Sequence, residues 1–325
     1  MSLKEKQSQV VKKRYTDLLT QYEALSEQYD DSLDAGQKAI LKPRIDNLQA
    51  ELEVLEGLIS QTEKTPLLAK LQYIDFRIIV RQFERLLECL GRQGGTSLLI
   101  LQDSQAMAGD LLVMRLQEEL RRQASAYHYY PVGFSEDNEL SAFGFLKRLS
   151  THFGVSNKSD DLDELLSIVI EKICTLLQTR SIIFVEINQW HRLPDPDHVL
   201  NWLCNTFYPT LVKKLSEAIQ EKKIRRVYVF LVVVSDDYFP DGCLDGTCPF
   251  LISENELRQL GENRIFDVTL ENWTKDDIED WLEFAGLPDE QLESIANRLF
   301  RRGRKGIPLI VRDAIEKEFC STQSP

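Results

Sequence analysis

The sequence predicts an α/β protein: a parallel sheet with helices on both faces, an α-helical hairpin in front of it and a C-terminal helical lid domain behind it. Three observations carry this. Short, nearly continuous apolar runs alternate with amphipathic helical segments along the middle of the chain, as strands buried on both faces do. Residues 1–62 instead repeat their apolar side chains on a heptad spacing. The first apolar run leads through a short loop into a helix, the setting in which parallel sheets bind phosphate. The expected organisation is 1–62, 63–270 and 271–325, within the usual size of domains for a 325-residue chain.

In the hairpin, Val11, Tyr15, Leu18, Tyr22, Leu25 and Tyr29 alternate spacings of four and three. After a turn at 30–34 the spacing returns at Leu41, Ile45, Leu48, Leu52, Leu55 and Ile59. Both stripes have the 3.5-residue period of a left-handed coiled coil. Each arm is roughly 40 Å long at the rise of an α-helix. Pro43 fits only the first turn of the second arm, or kinks it. Two narrow seams are marginal alone. The arm is therefore expected to dock on a protein partner, to self-associate as a homo-oligomer, or to pack on the body of the chain.

A helix is expected over 75–90, ended by Gly91 and Gly94-Gly95. Strands follow at 97–101, 126–132, 181–187, 226–234 and 265–270, with helices at 111–120, 143–153, 160–178 and 198–221. The strand ends that should face a ligand carry Gln102-Asp103, Glu186-Ile187-Asn188 and Ser235-Asp236-Asp237.

The loop after the first strand is the most telling segment. Fitted to the P-loop pattern G-x-x-x-x-G-K-[ST], Gly109 is the second glycine. Ser104 then takes the first, Asp110 replaces the lysine and Leu111 the metal-binding hydroxyl. A P-loop presents backbone N–H groups, a helix start and a lysine to phosphate. Asp110 would repel a triphosphate, and Leu111 cannot hold magnesium. The sheet reads as P-loop NTPase-like with its hydrolytic site gone. Four apolar residues precede Glu186, as in a Walker B strand, but the next position is Ile187 rather than a second acid. No cofactor and no catalytic residue is expected.

Beyond 270, Thr274 with Asp277 forms a capping pair that opens a helix. Trp281, Leu282 and Phe284 are expected in the core. Further helices run from Pro288 to about Arg302 and from Pro308 to Phe319, with Gly306-Ile307-Pro308 at the join and Pro308 suited to a first helical turn.

Composition narrows the function. A net charge of −13 argues against non-specific binding to DNA or to an anionic membrane. Two basic clusters, 222–226 and 301–305, read as solvated helix ends. Of the six cysteines, four lie in apolar helical surroundings, and Cys243 and Cys248 share a loop without a zinc spacing. No metal site is expected. Residues 1–14 are polar and charged, and the longest apolar run, 227–234, is too short to span a bilayer. A cytoplasmic setting is the expectation.

The order of these pieces over 72–320 resembles the STAND class of signalling NTPases, grouped with AAA+ proteins. Most of all it is similar to the inactive STAND domains of bacterial conflict and signalling systems. The resemblance implies a helical lid whose Gly-x-Pro motif, here Gly306 and Pro308, contacts a nucleotide base. It also implies small effector-associated or helical modules, which the N-terminal hairpin suits. Three functions compete. The first is a non-catalytic adaptor acting through the hairpin and the inactive core. The second is a nucleotide sensor without hydrolysis, in which Arg115 would replace the missing lysine. The third is an unrelated enzyme using His191 and His198, which flank a Pro/Asp-rich loop. The residues favour the first.

Overall fold

In a computed structural model the chain divides into two compact units, residues 1–71 with 320–325, and residues 72–319. The structure describes 41, 42, 45, 68–74, 76–134, 139–155, 160–239, 243–244, 247–261 and 264–320. In the first unit Leu41, Lys42 and Ile45 are helical, and Leu41 is buried. The seam positions Val11, Tyr15, Leu18, Tyr22, Leu25, Leu48, Leu52, Leu55 and Ile59, with Pro43, lie outside the described residues. A 3-10 turn, Leu68–Tyr73, leads into the second unit.

The second unit is built on a six-stranded parallel sheet. Its strands are β1 (Gly94–Leu101), β2 (Ala126–Gly133), β3 (Ser181–Asn188), β4 (Val227–Val234), β5 (Cys248–Pro249) and β6 (Ile265–Val268). Their order across the sheet is β2-β3-β4-β1-β6-β5, and every pairing is parallel. The first strand therefore sits in the interior, between β4 and β6. The helices are α1 (Arg77–Leu90), α2 (Gly109–Gln123), α3 (Ala142–His152), α4 (Leu162–Leu176), α5 (Pro196–Trp202), α6 (Tyr208–Lys222), α7 (Glu254–Gln259), α8 (Lys275–Ala285), α9 (Asp289–Arg302) and α10 (Pro308–Cys320).

Strand alternation sends side chains to two cores. Leu98, Ile100, Ile183, Val185, Val229 and Leu231 pack with Phe145, Val169, Ile170 and Leu211 of α3, α4 and α6. Phe230 faces the other way and meets Phe83 of α1, ring centroids 5.0 Å apart. Both faces of the central strands are covered, so β4 carries no polar side chain but Tyr228, whereas the edge strand β2 is only half-buried. Leu98–Leu101 and Val227–Val233 are buried without exception, apart from a sliver of Tyr228.

The expected parallel α/β architecture is the one observed, with four local departures. The single helix expected over 198–221 is α5 and α6 joined by a π-helical stretch, Leu203–Phe207. Pro209 opens α6 and has no N–H to give to the turn before it, so the wider turn accommodates the break. The short pieces β5 and α7 have too few residues for a periodic pattern, and Pro249 sits on the sheet edge where its missing N–H does least harm. The last strand ends at Val268. Phe284, expected in the core, is 55% exposed and lies against the ring of Tyr73, centroids 5.1 Å apart. It falls on the outer side of α8, while Ile278, Trp281 and Leu282 line the inner side.

The capping pair that opens α8 forms in both directions. Asp277 N–H donates to Thr274 Oγ1 at 3.1 Å, and Thr274 N–H donates to Asp277 Oδ2 at 2.7 Å. Between α9 and α10 the chain makes a tight left-handed passage: Arg304, Lys305 and Gly306 have φ of 49°, 66° and 93°. Gly306 is obligatory there, since a Cβ would stand 1.8 Å from the carbonyl oxygen of Trp273. Arg304 and Lys305 each carry a left-handed cost of about 1–2 kcal/mol.

Candidate functional site

The candidate site lies at the carboxyl ends of β1, β3 and β4. β1 ends at Leu101, a loop covers 102–108, and α2 begins at Gly109. This is the strand–loop–helix turn read from the sequence. The loop turns through two left-handed residues, Asp103 and Ala108, with φ of 49° and 53°.

Its backbone donors are largely committed. Ser104 N–H donates to Ser235 O at 2.9 Å, Met107 N–H to Asp103 O at 3.0 Å, and Gly109 N–H to Ser104 O at 2.8 Å. Leu111 N–H donates to Ala108 O at 3.0 Å. Ser104 is 4% exposed, and a Cβ on Gly109 would stand 2.2 Å from Ser104 Oγ. The two positions fitted to the P-loop glycines are thus packed on each other. Gly109 is small because Ser104 is there. Leu111 faces the core.

Asp110 sits in the first turn of α2, where the helix dipole favours an anion. Its Oδ2 accepts from Nη1 of Arg312 on α10 at 2.8 Å. The side chains are 57% and 25% exposed, so this is a partly screened pair. Burial works against the Arg312 charge, but Asp110 and Glu316 more than offset it and hold the pKa above the ordinary arginine value. One residue after Pro308, Leu309 donates its N–H to Ala106 O at 3.0 Å. That donor is one of the free groups every helix start leaves over. The first turns of α10 therefore seat on the loop through a backbone bond and an ion pair. Gly306 does not reach the loop among these contacts; its carbonyl accepts from Trp273 N–H at 2.8 Å.

Glu186 lies at the end of β3. Its carboxylate accepts from Tyr129 Oη at 2.6 Å and from Asn188 Nδ2 at 3.4 Å. Burial raises its pKa most, the two hydrogen bonds lower it, and the charge of Asp110 raises it; the net shift is upward. No basic side chain contributes to it. Ile187 points to the opposite face and is fully buried.

Gln102 and Asp103, placed at this end by the sequence, take partners that the sequence did not indicate. Gln102 bridges two strand ends, donating Nε2 to Asp267 Oδ1 at 3.0 Å and accepting from Phe239 N–H at 2.8 Å. Tyr238 Oη reaches Asp103 Oδ2 at 3.3 Å. Arg312 was the other omission. A basic residue one turn into the helix after Gly-x-Pro was the only available clue.

The remaining candidates separate. Arg115 is spent on Glu119 at 2.7 Å, on Glu118 at 3.6 Å and on the face of Tyr73, 4.7 Å from the ring centre. His191 Nδ1 pairs with Asp236 Oδ2 at 3.1 Å, whereas His198 lies in the first turn of α5, its backbone N–H capped by Asp195. No group of three or more His, Cys, Asp or Glu among the described residues is placed to hold a metal ion. Cys89, Cys174, Cys204, Cys243 and Cys248 are free thiols, each only partly buried. No described helix is long and apolar enough to cross a membrane.

The fold and this site define a class: a parallel α/β domain whose strand–loop–helix turn is closed by its own C-terminal helix. Residues 71–233 match the inactive STAND family, and the chain belongs to it. Residues 1–62 match effector-associated domain 9. An inactive STAND core joined to an effector-associated domain is the make-up of a non-catalytic signalling protein. Among solved structures, the chain is similar to the Aeropyrum pernix ORC2 protein in its ADP form, at 13% identity over 77% of this chain and 63% of that one, TM-score 0.43. The ADPNP–ADP complexes of the same protein give 12%, 74%, 66% and 0.37. Drosophila ORC bound to DNA gives 11%, 80%, 62% and 0.36. The chain spans less than two thirds of the length of each of these. No curated protein matches it.

Proposed function

We propose that this chain is a non-catalytic adaptor in a bacterial defence or signalling complex. In this reading the α/β unit has given up nucleotide hydrolysis and serves as a platform, and residues 1–62 make the protein contacts through a helical hairpin. The observation that carries it is the Asp110–Arg312 pair: an acid stands at the helix start where phosphate would be held, and its counter-charge comes from the same chain. Leu111 and Ile187, both in the core, leave the remaining Walker positions without chemistry. The effector-associated match over 1–62 supports the assignment of partner contacts to that segment.

A nucleotide sensor without hydrolysis has less support. Arg115, the residue that would stand in for the lysine, is committed to Glu118, Glu119 and Tyr73. Thermal unfolding with and without millimolar Mg-ATP, ADP and GTP decides between them. A ligand at 100-fold its Kd adds about 2.7 kcal/mol to the native state. The adaptor reading expects no shift with any of the three; a clear rise in Tm establishes the sensor instead. A chain lacking residues 1–62 that still captures every partner of the full chain would remove the hairpin from the reading.

A further inference from the structure

The amino-terminal ends of the strands, opposite the site described above, carry a row of arginines that the sequence scatters. Arg92 precedes β1, Arg180 precedes β3, Arg225 and Arg226 precede β4, and Arg264 precedes β6. In a parallel sheet all these ends share one edge. Backbone bonds tie the row together: Ser125 N–H to Arg180 O, Arg180 N–H to Arg225 O, and Arg226 N–H to Arg92 O, each 2.9 Å. Adjacent strands are about 4.8 Å apart, so the row advances by roughly that step.

Three features set this row apart. Arg92, Arg180, Lys223, Arg225 and Arg226 are exposed and form no ion pair among the described residues, in a chain of net charge −13. Arg180, Lys223 and Arg226 have φ of 63°, 53° and 56°. Glycine or asparagine suits that conformation better, so each cation is kept against a backbone cost. A recess of about 540 Å³ opens beside the row, lined by Arg92, Arg226, Tyr228 and Gln123, with Glu84 and Glu88 on its α1 wall.

We propose that this edge docks an acidic helical segment of a partner protein. Carboxylates at i, i+3 and i+4 on a helix stand about 5–6 Å apart, close to the strand step. The two glutamates of α1 limit where an anion can lie, which suits a discrete series of carboxylates. A single-stranded nucleic acid binds on stacking aromatic platforms; among the described residues the exposed large apolar side chains Ile78, Tyr238, Leu251 and Phe284 lie off this edge, and Tyr228 in the recess is 8% exposed with its hydroxyl donated to Gly91 O. A long duplex would meet the repulsion of the whole acidic chain.

The test uses the full chain and a fluorescein-labelled helical peptide with one glutamate in every four residues, read by anisotropy at low and physiological salt. Labelled oligo-dT and a DNA duplex are run in parallel. The variant R180G/K223G/R226G removes three charges at positions that favour glycine, so it holds or gains Tm. It is expected to weaken the peptide at least tenfold. R301G/R304G/K305G removes the same charge elsewhere and is expected to bind as the parent does. Absence of peptide binding at low salt, equal weakening by both triple variants, or tighter binding of either nucleic acid overturns the proposal.

Discussion

The two ends of one sheet have opposite electrostatic economies. At the carboxyl end the polar groups answer one another: Asp110 with Arg312, His191 with Asp236, Glu186 with Tyr129, Gln102 with Asp267. At the amino end Arg92, Arg180, Arg225 and Arg226 form no ion pair among the described residues. The fold class points to the carboxyl end as the place for a ligand. Here that end is occupied by its own side chains, and unspent charge has collected at the other. The docking proposed above follows the unmet charge rather than the inherited position of a site.

The most damaging way to break this comparison is to remove the strand both ends share. Ile100→Ala empties a fully buried position in β1 and is expected to lower stability by about 2–5 kcal/mol, seen as a fall in Tm and in denaturant midpoint. Gly306→Ala comes next. Its Cβ meets the Trp273 carbonyl and its φ is 93°, so a loss of about 2–4 kcal/mol is expected by the same measurements. Gly286→Ala shares the left-handed conformation (φ 93°) but meets nothing within 4 Å, so it is expected to cost less, and the difference between the two reports the contacts with Trp273 and Phe300.

A smaller effect sharpens the contrast in pairing. Asp110→Asn, Arg312→Ala and their double variant should give a coupling of a few tenths to about 1 kcal/mol, since the pair is partly exposed. Additive single effects in chemical denaturation would mean that α10 is held by Leu309 and packing alone. The subtlest change concerns Glu186. Its folded-state pKa is raised, so over the interval above the ordinary carboxylate value the native state binds more proton than the unfolded chain. Its contribution is therefore full at low pH and lost as pH rises through that interval. Glu186→Gln keeps an acceptor for Tyr129 and should flatten this decline in a Tm-against-pH series. An unchanged slope would show that Glu186 does not generate it.

Much of the sheet was legible because strands covered on both faces must be apolar throughout, as Leu98–Leu101 and Val227–Val233 are. The helix starts were legible where chemistry marks them, at Thr274 with Asp277 and at Pro308. The π-helical stretch was not, since its amphipathic pattern runs on through Pro209. Within the site, the positions of Ser104, Gly109 and Asp110 followed from one motif and that of Glu186 from a second. Arg312 did not, because its partner lies some two hundred residues away and nothing local encodes that meeting. The arginine row was harder still. The sequence offered a cluster at 222–226 that reads as a helix end, and only strand order places Arg92 and Arg180 beside it.

The interior place of β1 also bears on how the chain is made. Its neighbours are β4 and β6, whose residues leave the ribosome about 130 to 170 positions later, roughly 7 to 34 seconds at 5–20 residues per second. For that time the segment 94–101, rich in leucine and isoleucine, lacks both of its native partner strands. Until they arrive, the flanking helices α1 and α2 are the nearest elements that can cover it.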